Sequence, residues 1–138
     1  MVIIVKKIIL ILFFISMAFI CFHQDEEILI PGEAIRFRVI ANSNTVTDQK
    51  EKMMIKEQVE KEVYELIKDA SNASDVRNII KNNMDTIESI VTEYQVPYQI
   101  DYGNNYFPAK SYKGVVYPAG NYESLVITLG EGAGENWW

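Results

Sequence analysis

The chain has 138 residues, with 13 basic against 19 acidic side chains, a net charge of −6, one cysteine and one histidine. That size supports a single domain with one modest core, and the acidic balance argues against a nucleic-acid partner and against tight binding to anionic lipid surfaces. Cys21 alone excludes an internal disulfide, and His23, lying outside the domain, removes His-based zinc sites and any Ser-His or Cys-His nucleophilic pair from it.

The amino end reads as an export element. Lys6-Lys7 precede an apolar run from Ile8 to Phe22, and Asp25-Glu26-Glu27 follow at once. Basic flank, apolar run and acidic flank make residues 1–23 a signal peptide or an N-terminal membrane anchor, with the amino end cytoplasmic and the rest outside. The two readings stay open. As a helix the run reaches about 22 Å, short of a hydrocarbon core of ~30 Å. Adding Val2–Val5, with the lysines snorkelling, lengthens it, whereas Ser16-Met17-Ala18 offers a small-x-small cleavage site. Residues 24–33, punctuated by Pro31-Gly32, form a linker, and 34–138 form the domain.

Residues 34–41 alternate. Ile35, Phe37 and Val39 share one face; Arg36 and Arg38 share the other, which is expected to be a basic outer face. Asn42-Ser43-Asn44 ends this strand. Thr45 and Asp48 have capping-box spacing for a helix reaching about Ala70, with Ile55, Val59, Val63, Leu66 and Ile67 as its apolar stripe. Ser71–Ser74 is a turn with Ser74 as the next cap. A second helix carries Val76, Ile80, Met84, Ile87, Val91 and Tyr94 on one face.

After Pro97 the period becomes two, with Val96, Tyr98, Ile100 and Tyr102 pointing one way. Gly103-Asn-Asn is expected to be a loop. Val115–Tyr117 and Glu123–Leu129 read as further strands around the turn Pro118-Ala-Gly120-Asn121. The sum is an α+β domain: a mainly antiparallel sheet of about four strands with two helices packed on one face.

The glycines of Gly130-Glu-Gly132-Ala-Gly134 do not open a nucleotide loop, since Glu131 and Glu135 repel phosphate and no Gly-Lys-Ser/Thr follows. With Gly120 they are read as loop-shaping positions that permit a sharp chain path aiming Asn136, Trp137 and Trp138. Carboxylates Asp101, Glu123, Glu131 and Glu135 offer a remote route to hydrolysis. No catalytic, cofactor-binding or metal-binding set is expected. The aromatic-rich second half, from Tyr94 to Tyr122 and on to the two indoles, suits core packing and a recognition surface alike. Arg36 and Arg38, with Asn42 and Ser43, either decorate a solvated strand and its turn or form a polar recognition patch.

Three motifs carry a resemblance: Arg38-Val-Ile-Ala-Asn42-Ser43 followed by Asp48-Gln49; Gly103-Asn-Asn-Tyr-Phe-Pro108; and Tyr117-Pro-Ala-Gly120-x-Tyr122 with Gly130-x-Gly132-x-Gly134-x-Asn136-Trp137-Trp138. In order and spacing the chain resembles the stage II sporulation protein R family, from about residue 34 to the end. The resemblance implies a protein made in the forespore and exported across its membrane. There it would activate a membrane-embedded aspartic protease of the mother cell, which processes pro-sigma-E. It also directs attention to Arg36, Arg38, Asn42, Ser43, Asn136, Trp137 and Trp138 as partner-binding residues. Family members usually continue into a short aromatic tail with Cys and Pro, which is absent here. A cell-wall glycan-binding or peptidoglycan-hydrolysing domain is the competing expectation.

Overall fold

The computed structural model describes residues 28–29 and 34–137. The signal or anchor segment, most of the linker and Trp138 lie outside the described residues. Among those described, no helix is long and apolar enough to cross a membrane. In chain order the elements are β1 (Ile28–Leu29), β2 (Arg36–Ile40), α1 (Val46–Ile67), α2 (Ala73–Asn82), α3 (Met84–Thr92), β3 (Tyr98–Phe107), β4 (Lys110–Tyr112), β5 (Val115–Tyr117), β6 (Gly120–Leu129) and β7 (Asn136–Trp137).

The architecture is α+β. A four-stranded mixed sheet has the order β3-β6-β2-β7, and a three-stranded sheet has the order β1-β5-β4. In the main sheet β3 runs antiparallel to β6 and β7 antiparallel to β2, while β2 and β6 are parallel. Val39 and Ile100 both lie opposite Ile127. One sheet face therefore collects Val39, Leu125, Ile127 and Leu129, onto which the helices lay Ile55, Val59, Ile80, Ile87 and Val91. Burying one apolar face of each element against the other supplies most of the driving force for this domain.

Helix α1 begins as its residues require: Thr45 is the N-cap and its hydroxyl accepts from the Asp48 amide at 3.2 Å. Asn72, not Ser74, caps α2 by accepting from the Asp75 amide at 3.0 Å. The single second helix expected from periodicity is two helices, making three among the described residues. Asn83 leaves helical geometry at φ −117°, ψ 20°. Its side-chain amide donates to the Ile79 carbonyl at 2.7 Å, and its own carbonyl accepts from Thr86 and Ile87 at 3.1 Å each. The one residue thus closes α2 and opens α3. A short polar side chain that competes for backbone partners permits this break.

Three further differences concern strands. Gly103-Asn-Asn does not loop; it continues β3, with Gly103 opposite Ser124 and Asn105 opposite Tyr122. Asn105 is satisfied within the sheet, donating to Ser124 Oγ at 3.1 Å and Asp101 Oδ2 at 3.0 Å. Gly120 is not a turn residue but the first of β6, opposite Phe107. Asn136-Trp137 form an edge strand.

The basic outer face also needs correction. Alternation does separate Arg36 and Arg38 from Phe37 and Val39, but Arg36 is only 9% exposed. Its guanidinium carbon lies 4.1 Å from the centre of the Phe107 ring, 4.7 Å from Tyr122 and 5.4 Å from Tyr117. Phe107 and Tyr122 themselves meet edge to face at 6.0 Å. A second, aromatic cluster thus covers this end of the sheet, and the planar guanidinium fills it by stacking on ring faces. Arg38 remains half-buried.

A polar brace joins α2 to β6. Arg77 donates to both oxygens of Glu123 at 2.7 Å each, and the Tyr102 hydroxyl donates to Glu123 Oε1 at 2.9 Å. Arg77 holds the Glu123 carboxyl below its ordinary 4.5, with the Tyr102 hydroxyl adding to the effect, and burial drives the Tyr102 phenol upward. A depressed folded-state pKa makes this contribution present above the unfolded value and lost as pH falls through the folded one. Wild-type stability should therefore decline between pH 4.5 and lower pH more steeply than that of Glu123→Gln, as read by denaturant midpoints across that range. Arg36→Glu should lower stability by about 3 kcal/mol or more, because a carboxylate would face aromatic rings in a buried site. Arg38→Glu should leave the cooperative melt in place.

Candidate functional site

The polar motif after β2 and the glycine motif after β6 are about 90 residues apart in sequence and adjacent in space. Asn42 links them with both ends of its side chain. Its Nδ2 donates to Asp48 Oδ2 at 2.9 Å, and its Oδ1 accepts from the Glu131 amide at 3.0 Å. Ser43 Oγ donates to the same Asp48 oxygen at 2.5 Å. These two donors, Ser43 first, hold the Asp48 carboxyl below its ordinary range. Asn44 Oδ1 accepts from the Glu135 amide at 2.7 Å. Backbone bonds complete the join: Ala133 to the Asn42 carbonyl at 3.0 Å and Gly134 to the Ala41 carbonyl at 2.9 Å.

The glycines are required where the two segments touch. Gly130 has φ +54°, and a Cβ there would collide with the Asn42 side chain. Gly134 lies so close to the Ser43 carbonyl oxygen that a Cβ would overlap backbone. Gly132 has φ +63°. The loop therefore turns back over the end of the sheet and delivers β7 to the outer edge of β2, with Val39 opposite Trp137 and Ile40 opposite Asn136.

Two lysines of α1, not singled out by sequence reading, close over this edge. Lys52 is 5% exposed and donates to Gln49 Oε1 at 2.6 Å and to the Glu135 carbonyl at 3.2 Å. Lys56 places its ammonium 4.3 Å from the Trp137 ring centre. A signal for both existed: Lys52 and Lys56 share the helical face of Ile55 and Val59, where a charged residue implies a polar partner. Trp137 is half-buried and meets Phe37 edge to face at 5.7 Å. The ring caps the sheet edge and keeps part of its surface toward solvent.

Behind the loop lies a cleft of about 480 Å³ lined by Asn42, Asp48, Glu51, Pro97, Leu129 and Glu131. Burial, reinforced by nearby Asp48, raises the Glu51 carboxyl. This lining disfavours phosphate and other anions. The carboxylates considered for hydrolysis do not converge: Glu123 sits on the helix-covered face with Arg77, and Asp101 sits on the other with Asn105. Among the described residues no group of three His, Cys, Asp or Glu could hold a metal ion.

Of the residues singled out from sequence, Asn42, Ser43, Asn136 and Trp137 come together around Gly130, Gly132 and Gly134. Arg36 and Arg38 lie on the opposite face of β2 from Trp137, and Gly120 lies at the far end of β6. Trp138 is outside the described residues.

The comparisons with known proteins agree on one family. The profile described as Stage II sporulation protein R (spore_II_R) matches residues 31–138. The chain is 36% identical over 121 residues to the Stage II sporulation protein R of Bacillus subtilis (strain 168). That alignment takes in 83% of this chain and 54% of the relative, so the chain spans about half the length of the curated relative it matches. No solved structure matches the chain.

The steric argument gives a direct test. Gly134→Ala should cost about 1–3 kcal/mol, the usual range for forcing extra volume into a packed site. It should also speed hydrogen exchange at the amides of Ala133, Gly134 and Glu135 relative to Ile127. Unchanged exchange there would show that the loop has room to move aside.

Proposed function

The chain belongs to the stage II sporulation protein R family, and on that premise we propose that it is an exported sporulation signal. In this reading it crosses the forespore membrane into the space between forespore and mother cell. It remains tethered by residues 1–23 or is released by their cleavage. There it activates a membrane-embedded aspartic protease of the mother cell, which then processes pro-sigma-E. The chain acts as a ligand: it switches a partner by binding the partner's active state better than its inactive one.

The observation that carries this reading is the joining of two distant family motifs into one braced edge that presents Trp137. Asn42, Ser43 and Asp48 use their side chains on one another and on the glycine loop, as a positioning device does. Their geometry supports a preorganised display surface, because fixing a loop before binding lowers the ordering cost of association. A half-buried indole with an adjacent ammonium matches the composition of interface anchors.

The test couples stability to signalling. Purified chain should be retained by the outward-facing part of the protease, and it should stimulate processing of pro-sigma-E in a reconstituted membrane. Trp137→Ala should keep a cooperative melt yet weaken retention by about 2 kcal/mol, roughly thirtyfold. Normal retention by Trp137→Ala would move the contact surface elsewhere. Peptidoglycan binding with sugar release, and no effect on processing, would replace the signalling reading with a cell-wall one.

A further inference from the structure

Arg38 is a half-buried cation that no described carboxylate pairs. The domain itself shows what a satisfied guanidinium looks like: Arg77 grips both oxygens of Glu123 at 2.7 Å. Arg38 has nothing comparable. Its Nη1 donates to the Tyr106 carbonyl at a long 3.3 Å, and its guanidinium carbon lies 5.4 Å from the centre of the Phe107 ring. Its Nε is buried without an acceptor among the described residues. Asp101, an acid on the same sheet face, is engaged by Asn105 instead. Burial lowers the Arg38 pKa without removing its charge.

This is an unusual economy for a chain with 19 acidic residues. A buried N–H left without an acceptor costs about 1–3 kcal/mol, and a buried cation is ordinarily paired. Here the cation sits on a half-buried strand position beside Arg36, whose own guanidinium adds to the positive potential. The position is held by β2, the strand flanked by β6 and β7, so it is rigid. Rigid forked donors favour carboxylates, which accept two parallel N–H bonds.

We infer that the sheet face bearing Arg38 receives an Asp or Glu side chain from an acidic segment of a partner protein. A lipid headgroup layer is a poor alternative. The guanidinium is recessed within a sheet face, and the chain's net charge of −6 opposes approach to an anionic surface. A flexible acidic side chain reaches a recessed donor and requires no such approach. The surface lies across β2 from Trp137, so a partner that engages both would wrap the edge of the sheet. The inference rests on the chain acting as a protein ligand, and it specifies the partner's chemistry.

Full-length chain in detergent micelles would be titrated with acetylated hexaglutamate, and with hexaglutamine as control, while backbone amide shifts are followed by NMR. Hexaglutamate should move the amides of Arg38, Tyr106 and Val126 in wild type, and added salt should weaken the effect. Hexaglutamine should move none of them. Arg38→Gln, with an otherwise unchanged spectrum, should abolish these shifts. Arg38→Lys, which keeps charge but loses the fork, should weaken binding at least several-fold. No shifts in wild type, or equal shifts in Arg38→Gln, would overturn the proposal. The measurement involves no protease, so shifts centred on Arg38 with no stimulation of pro-sigma-E processing would sink the activator reading alone. Conversely, stimulation by wild type with no dependence on Arg38 in either assay would sink this inference alone.

Discussion

Strand β2 is the first strand of the main sheet in chain order, yet it pairs in parallel with β6, which is reached only after three helices and three further strands. A parallel pair cannot be closed by a tight turn; it needs a crossover, and the helices supply it. Because that crossover lies on one face, the face becomes the apolar core and the other is left to different chemistry. Val39 and Ile127 meet on the helix side; Arg38 and Val126 meet on the far side. The Asn42 turn, the glycine loop and β7 take their places from this pairing. It fixes where β2 ends, where the glycine loop must return, and which edge remains for β7.

The two faces solve the problem of burial differently. Under the helices the fully buried cluster is aliphatic, and the strand carboxylate at its margin, Glu123, is neutralised by Arg77. On the far side, an arginine and three aromatic rings form a smaller cluster near the short sheet. A guanidinium is weakly hydrated and flat, so it can share an aromatic environment that an ammonium or a carboxylate could not. Among the described residues no helix packs on this side, and Arg38 stays half-buried there.

Much of the fold was legible in the sequence for physical reasons. The alternation at residues 34–41 and the helical stripe through Ile55 and Val59 reflect burial on one side, and a cap at Thr45 reflects a local hydrogen bond. What was illegible depended on distant partners. Alternation assigns Arg36 to a face but does not say that Phe107, Tyr117 and Tyr122 cover it. Periodicity carried the second helix through Asn83, because apolar spacing continues while the backbone breaks. Gly103-Asn-Asn has loop composition, yet β6 offers it an unbroken ladder. At the site, the importance of Asn42 and the glycines could be suspected, and Lys52 and Lys56 stood out on an apolar helix face, but their partners on β7 and the loop before it lie more than 80 residues away and are not legible in the sequence.

The close approach at Gly130 and Gly134 limits the order in which substitutions can be accepted over time. A side chain at position 134 meets the backbone oxygen of Ser43, and no change of neighbouring side chain relieves that overlap. At position 130 the obstacle is different: it is the Asn42 side chain, together with a left-handed backbone that Asn and Asp tolerate better than most residues. A side chain at position 130 needs position 42 to shrink and still meets the left-handed backbone, and shrinking position 42 removes the bonds to Asp48 and Glu131. Changes at 42, 48 and 130 must be non-additive, as contacting residues generally are. The two glycines are thus constrained differently: position 134 by backbone that no neighbouring substitution moves, and position 130 by a side chain 88 positions upstream of it as well as by its own φ.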